Sequence, residues 1–369
     1  MSDPPANPID KTQTDQINTG KQKLRRHRKS NDKGASLSDV ARSAGVSTAT
    51  VSRVLNNPEK VAEKKRLKVQ AAVEQLGYIP DGAARALASR HSHIIGAVVP
   101  TLDNAIFASG IQGFQRKLKS LGYTVIIASH EYDLAEELNE VRTLLRQGVD
   151  ALLMVGSAHD PQLLKLLAEK KIPYVNCWAY KSDSSEPYIG FDNKKAALKL
   201  SNYLLDSGHR DFAVIAGRTR NNDRALDRLS GVKEALAARA LTIPADRIIE
   251  CSYSLKQGRE AMRSLLRTRP WPTAVVCGND ILAMGALAEC QAAGISVPQK
   301  ISITGFDDLD ISAQIVPALT TIHVPLVEMG ELAAEFLVAR INQEPVSAQT
   351  EIDTDLIVRE TTAGPRQKF

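Results

Sequence analysis

The segment Ser47–Asn56, STATVSRVLN, concentrates side chains able to read a nucleic acid. Arg53 carries a planar guanidinium that can give two parallel hydrogen bonds to a guanine edge in the major groove. Ser47, Thr50, Ser52 and Asn56 supply short hydroxyl and amide donors of the kind that hold phosphate oxygens. Ala49 offers only a methyl group, so the preferred base sequence cannot be read from this segment. Side chains at this spacing need a helix to present them. Ser47 is a good N-cap, Val51, Val54 and Leu55 form one apolar side, and Asn56-Asn57-Pro58 ends the run. The outward face then carries Thr48, Ala49, Ser52 and Arg53. Upstream, Leu37, Val40, Ala41 and Ala44 recur at helical spacing and Gly45 closes that helix. Downstream, a third helix is expected from about Val61 to Leu76, stopped by Gly77. Two short helices joined by a tight Ala-Gly-Val turn, with a third behind them, make a helix-turn-helix over residues 36–80.

Charge is placed to match. The net charge of the 369 residues is only +5, but KQKLRRHRKSNDK at 21–33 and the lysines of 60–68 gather positive charge near that segment. Residues 1–35 are polar and without periodicity, and are expected to be a disordered basic tail. No stretch is apolar enough to span a bilayer, and the first twenty residues lack the apolar core of an export signal. The scattered Cys177, Cys251, Cys277 and Cys290 fit reduced thiols, and a cytoplasmic protein is expected. Dispersed His130, His159, His209 and His323 show no metal spacing, and no GxGxxG, GxxxxGK[ST], GxSxG or HExxH occurs where catalysis would need it. Neither catalytic residues, nor a metal, nor a cofactor is therefore expected. A secreted transport receptor would share the core's texture, but it would need an export signal and no helix-turn-helix.

From Ile94 onward apolar runs alternate with amphipathic helical stretches. The runs are 94–100, 123–129, 151–156, 173–178, 212–217, 273–278 and 301–306. Continuous apolar strands alternating with helices mean a parallel sheet covered on both faces. There are too many units for one lobe, so the expected fold is α/β with two Rossmann-like lobes behind an N-terminal all-α domain. Ligands in such sheets sit beyond the carboxyl ends of the strands. Pro100, Ser157, Trp178, Gly217, Asn279 and Asp307 fall there.

The stretches LSDVARSAGVSTATVSRVLN (37–56) and YIPDGAARALA (78–88) closely resemble the lactose-repressor (LacI) family of bacterial transcriptional regulators. GFDNKKAA (190–197), GHRDFAVIAG (208–217), RLSG (228–231), GNDILAMGA (278–286), ITGFDDLDIS (303–312) and PALTTI (317–322) extend the likeness from Ser36 to about Thr362. The resemblance implies a helix-turn-helix and a periplasmic-binding-protein-like core, forming a homodimer that represses from a pseudo-palindromic operator in double-stranded DNA. It implies allosteric control by a small metabolite, a sugar or sugar acid. Thr48, Ala49 and Arg53 take the family's base-reading positions. Residues 81–91 become a hinge helix and linker, with Arg85 on the DNA and Leu87 wedged into the minor groove. The core runs over 92–362, the first lobe holding about 92–189 and 324–343 and the second about 190–323 and 345–362; 363–369 is a tail. The effector set implied is Asn104, Phe107, Ser157, Trp178, Asn222, Arg224, Arg228, Tyr253, Asn279 and Asp307. Asp307 and Asn279 would hold hydroxyls, and the aromatics would cover an apolar face. Arg228 would clamp an oxygen-rich group, which favours an anion, while Asp307 could neutralise it in part and so leaves a neutral polyol open. Arg218 and Arg220 are expected near the mouth of the cleft. Two departures stand out. Trp178 takes a place where the family often has Asp, and Val61-Ala62 replaces a Val-Ser helix start.

After the last expected strand, 354–359, the final residues carry no leucine heptads of the kind that join two dimers. A dimer and nothing larger is the expected state. Light scattering that found a stable tetramer at micromolar concentration would contradict it.

Overall fold

The computed structural model describes residues 35–79 and 91–365. The expected N-terminal tail, the hinge with Arg85 and Leu87, and residues 366–369 lie outside them. The chain divides into two compact units, Met1–Asp81 and Gly82–Phe369.

The first unit is three helices, α1 (Leu37–Ala44), α2 (Thr48–Asn56) and α3 (Glu63–Leu76). Ser36 starts α1 reciprocally: its Oγ accepts from the Asp39 amide at 3.3 Å, and the Asp39 carboxylate accepts from the Ser36 amide at 3.0 Å. Gly45 ends α1 at φ 65°, a left-handed position that favours glycine. Ser47 then caps α2 by accepting from the Thr50 amide at 3.2 Å. α3 begins two residues later than expected, because a 3-10 turn at Pro58–Lys60 takes up the approach. Its first residue follows Ala62, which has no side chain able to cap it. Val40, Ala41, Ala44, Val51, Val54, Val69 and Ala72 form this unit's buried core.

In the second unit every strand expected from the sequence appears. The strands are β1 (Ile94–Val99), β2 (Thr124–Ser129), β3 (Ala151–Val155), β4 (Tyr174–Cys177), β5 (Tyr188–Gly190), β6 (Phe212–Gly217), β7 (Ile248–Cys251), β8 (Ala274–Cys277), β9 (Ser302–Thr304), β10 (Thr321–His323), β11 (Gln349–Glu351) and β12 (Asp355–Ile357). One parallel sheet runs β11-β5-β4-β3-β1-β2, a second runs β7-β6-β8-β9, and β10 pairs antiparallel with β12. The helices are α4 (Ala105–Ser120), α5 (Leu134–Arg146), α6 (Pro161–Lys170), α7 (Asn193–Asp206), α8 (Asp223–Ala237), α9 (Leu255–Arg267), α10 (Asp280–Ala292) and α11 (Leu326–Ile341). α4 packs against α11, α7 against α8, and α9 against α10. The first pair comes close because Gly110 and Gly330 face each other; a Cβ on Gly330 would strike the Gly110 carbonyl.

One boundary is corrected. Gln349–Glu351 was expected in the second lobe, but it pairs in parallel with Tyr188–Gly190 and completes the first lobe's sheet. β5 would otherwise be a short open edge with unpaired backbone groups, and β11 covers it. The chain's last crossing between lobes therefore follows Glu351. The four cysteines are buried and unbridged. Among the described residues no helix is long and apolar enough to cross a membrane.

Candidate functional site

In the first unit, Ser47, Thr48, Ala49 and Arg53 are exposed, and Thr50 and Ser52 are partly so. Ser47 and Thr50 spend hydroxyls on each other at 2.9 Å, so both help to fix the start of α2. Asn56 closes the helix, and the placement of its side chain is not among the described features. Val51 and Val54 anchor the opposite side in the core. The Thr48–Ala49–Arg53 ridge thus faces outward from a pinned helix.

In the second unit the strand ends of both sheets face one another across a cleft. Arg228, on α8, is 7% exposed. Its Nε donates to Asn193 Oδ1 at 2.8 Å, Nη1 to the Gly278 carbonyl at 2.7 Å, and Nη2 to Asp307 Oδ1 at 3.3 Å. The guanidinium lies 3.7 Å from the Phe306 ring centroid. Arg228 was expected to need an oxygen-rich partner, with Asp307 able to neutralise it in part; Asp307, Asn193 and a carbonyl supply those oxygens. The acceptor left over is Asp307 Oδ2, buried with no protein partner. Burial raises the Asp307 pKa to about 7, with Asp280 adding to the rise and Arg228 opposing it. Asn279 caps α10 by accepting from the Leu282 amide at 2.9 Å, while its Nδ2 is buried and unpartnered. Asn279 therefore caps a helix and still keeps a donor in reserve.

A clasp joins the lobes beside this group. Asp223 Oδ2 accepts from the Ser157 amide at 2.7 Å and its hydroxyl at 2.8 Å. Arg224 Nη1 donates to the Val155 carbonyl at 3.1 Å and to Asp223 Oδ1 at 2.9 Å. Burial works against the charged Asp223, but Arg224 and the two Ser157 donors outweigh it and hold the carboxyl below its ordinary range. Behind Ser157, His159 bonds Glu137 at 2.9 Å; burial opposes its charged form, yet Glu137 raises its pKa overall.

Outside the clasp the cleft holds a cavity of about 740 Å³. Of the expected residues Asn104, Asn222 and Tyr253 line it. Arg218 and Arg220 line it as well, faced by Asp103, Glu131 and Asp133, so the mouth carries both signs of charge. Asn104 and Asn222 also cap α4 and α8. Phe107, Ser157, Trp178, Arg224, Arg228, Asn279 and Asp307 do not line it. Tyr253 connects the two layers. Its ring borders the cavity, a Cβ on Gly217 would strike its hydroxyl, and Arg228, Arg224 and Asp307 all act on its charge. Phe107 and Trp178 lie in the first lobe's core, with rings 5.3 Å apart and edge to face. Trp178, at φ 61°, fills the space above Gly110, and its carbonyl accepts from Asn193 Nδ2 at 2.8 Å. Its indole nitrogen is buried without a partner.

Sequence reasoning missed Asp223, Asn193 and Tyr132. Asp223 stood in plain view beside Arg224, and a carboxylate in the first turn of a helix after a strand was the available signal. Nothing local distinguishes Asn193 or Tyr132.

Residues 36–81 match the family of bacterial regulatory proteins, lacI family, and residues 201–362 match a periplasmic binding protein-like domain. The chain is 35% identical over 311 residues to the HTH-type transcriptional regulator GntR of Escherichia coli strain K12, covering 84% of this chain and 93% of the relative. It is 36% identical over 341 residues to the HTH-type transcriptional repressor PurR of Salmonella paratyphi B, covering 91% and 99%. The crystal structure of the lac repressor dimer bound to operator and the anti-inducer ONPF superposes with a TM-score of 0.80, at 28% identity, covering 90% of this chain and all of that one.

The pKa of Asp307 fixes a pH dependence. Its folded value lies above its ordinary 3.8, so the folded state holds a proton that the unfolded state has lost. Its contribution therefore falls as pH rises from 3.8 to about 7. Asp307→Asn removes that slope. Denaturant titrations at several pH values should show the variant gaining on the wild type across this window. A difference that stays constant with pH would contradict the burial argument.

Proposed function

The chain belongs to the lacI family of bacterial regulatory proteins, and from that premise we propose that it represses transcription as a homodimer on a pseudo-palindromic operator, under the control of a small oxygen-rich metabolite. The observation that carries the DNA-binding half is the outward Thr48–Ala49–Arg53 ridge on α2, a helix pinned by the Ser47 cap and buried valines. An exposed guanidinium on a rigid helix is suited to a guanine edge. Ser47, Thr50, Ser52 and Asn56 would take the phosphates. Arg85 and Leu87 would complete the contact at the centre of the site, Leu87 by opening a base step in the minor groove.

The cleft supports the effector half. Its cavity, about 740 Å³, falls in the range of roughly 300–1,000 Å³ used by small-molecule sites. Asn279 Nδ2 and Asp307 Oδ2, buried and unpartnered, are the groups a ligand hydroxyl would satisfy. Arg218 and Arg220 at the mouth would accept a carboxylate, so a sugar or a sugar acid fits. Closing the lobes on such a ligand would change the geometry passed toward the DNA-binding unit, which is the allosteric step. No cofactor is required, and the protein is a binding device, not an enzyme. It would work in the cytoplasm, where the DNA is.

Arg53→Ala tests the DNA half. DNA selected from a random pool by the wild type should lose about 1–3 kcal/mol of preference per half-site in the variant. Weak, salt-sensitive binding to any DNA should survive. Fluorescence anisotropy at several salt concentrations measures both. Undiminished preference for the selected sequence would remove Arg53 from the reading face.

A further inference from the structure

Tyr132 sits on the loop between β2 and α5, on the first lobe, yet its side chain and carbonyl meet the second. Its carbonyl accepts from Asn221 Nδ2 at 3.3 Å. Its ring lies 6.5 Å from that of Tyr253, at 40°. Burial raises the pKa of its phenol, Tyr253 adds to the rise, and Arg224 and Arg228 oppose it, Arg224 in part through a hydrogen bond. The ring also lines the cavity itself.

The backbone holds Tyr132 there against its own preference. Glu131 and Tyr132 stand at φ 48° and 64°, two consecutive non-glycine residues in the left-handed region. The loop is pinned on either side. His130 and Glu131 donate their amides to the Val99 and Pro100 carbonyls at 3.2 and 2.7 Å, and the Asp133 amide donates to the His130 carbonyl at 2.8 Å. Asp133 then caps α5 through the Ala135 and Glu136 amides. An aromatic residue held in this conformation, facing a cavity from the opposite lobe, is placed to meet whatever occupies the cavity. Trp178, by contrast, is buried against Gly110 and Phe107 and lines no part of the cavity.

We propose that Tyr132 is the gate and a specificity-determining residue of the effector cleft, closing the mouth against Tyr253 and Asn221 and offering its hydroxyl to a ligand oxygen beside Arg224. This rests on the reading of the cleft as the effector site. The ligand it meets is the oxygen-rich metabolite of the proposed function, held in the cavity that Asn104, Asn222 and Tyr253 line with it. Opening breaks the Asn221 hydrogen bond and the Tyr253 ring contact and takes the phenol away from Arg224, so the gate is linked to the clasp through that residue.

The test uses the full chain with 3-fluorotyrosine at position 132, followed by fluorine NMR. Without ligand, Asn221→Ala should shift or broaden the resonance; an unmoved line would show that Tyr132 does not face across the cleft, and would overturn the proposal. Cellobiose, D-gluconate and D-galacturonate are then titrated by calorimetry. A probe that binds should move the fluorine line. For that probe Tyr132→Ala should speed both association and dissociation about tenfold or more, as an open mouth would, whereas Tyr132→Phe should keep the slow association of the closed mouth and lose about tenfold in affinity through faster dissociation alone. A probe that binds Tyr132→Ala with unchanged affinity and dissociation rate overturns the gate. If no probe binds the wild type, the sugar or sugar-acid reading fails, and the selectivity claimed for Tyr132 fails with it; the Asn221→Ala spectrum still decides its place across the cleft.

Discussion

A buried guanidinium must find oxygens, and Arg228 determines where the surrounding groups stand. Water is nearly absent at its position, so leaving any face unpaired would be costly. It takes one oxygen each from Asp307, Asn193 and Gly278, and lies over Phe306. Each partner then constrains something further. Asn193 uses its amide nitrogen on the Trp178 carbonyl, which ties the second lobe's pair to the first lobe's core. Asp307 gives Arg228 one oxygen and keeps the other, in a left-handed backbone position at φ 108°. The group is thus held by a pair that is itself incompletely satisfied, with Asp307 Oδ2 buried and unpartnered.

Around this pair the cleft has two layers with different jobs. The inner layer, Arg228 with Asp307 and Asn279, is rigid because its members also cap helices or pair charges. The outer layer is a mouth of mixed charge formed by loops. Between them the Ser157–Asp223 and Arg224–Val155 contacts join the lobes, beside the Asn193–Trp178 and Asn221–Tyr132 hydrogen bonds and an apolar cluster drawn from both lobes.

Much of this was legible beforehand, for identifiable reasons. The α2 helix was readable because cap, apolar side and breaker all sit within a dozen residues, and Gly45 and Gly77 marked ends that only local backbone geometry decides. The long parallel strands were readable because burial on both faces leaves continuous apolar runs. β5 and β11 were not, being short and stabilised by each other across 161 residues of chain, as Tyr188 and Gln349 pair. Asp307 was readable as a partial counter-charge for Arg228, but its other partners, Asn193 and the Gly278 carbonyl, 35 and 50 residues away, were not. Trp178 and Phe107 read equally well as cleft or core, since an aromatic at a strand end satisfies either pattern; the packing of Trp178 against Gly110 and of Phe107 against Trp178 places them in the core. Tyr132 carried no sequence signal, because its position comes from two unusual backbone angles.

The central claim is that the cleft and the DNA-binding unit are energetically coupled. Coupling is reciprocal: a metabolite that changes DNA affinity by some factor must have its own affinity changed by the same factor when DNA is bound. The most direct measurement is calorimetric titration of one metabolite, found by thermal-shift screening, into the full-length protein with and without saturating selected DNA. The account predicts two dissociation constants whose ratio equals the metabolite's effect on DNA affinity. Identical constants with and without DNA, for a metabolite that binds in the cleft, would contradict it.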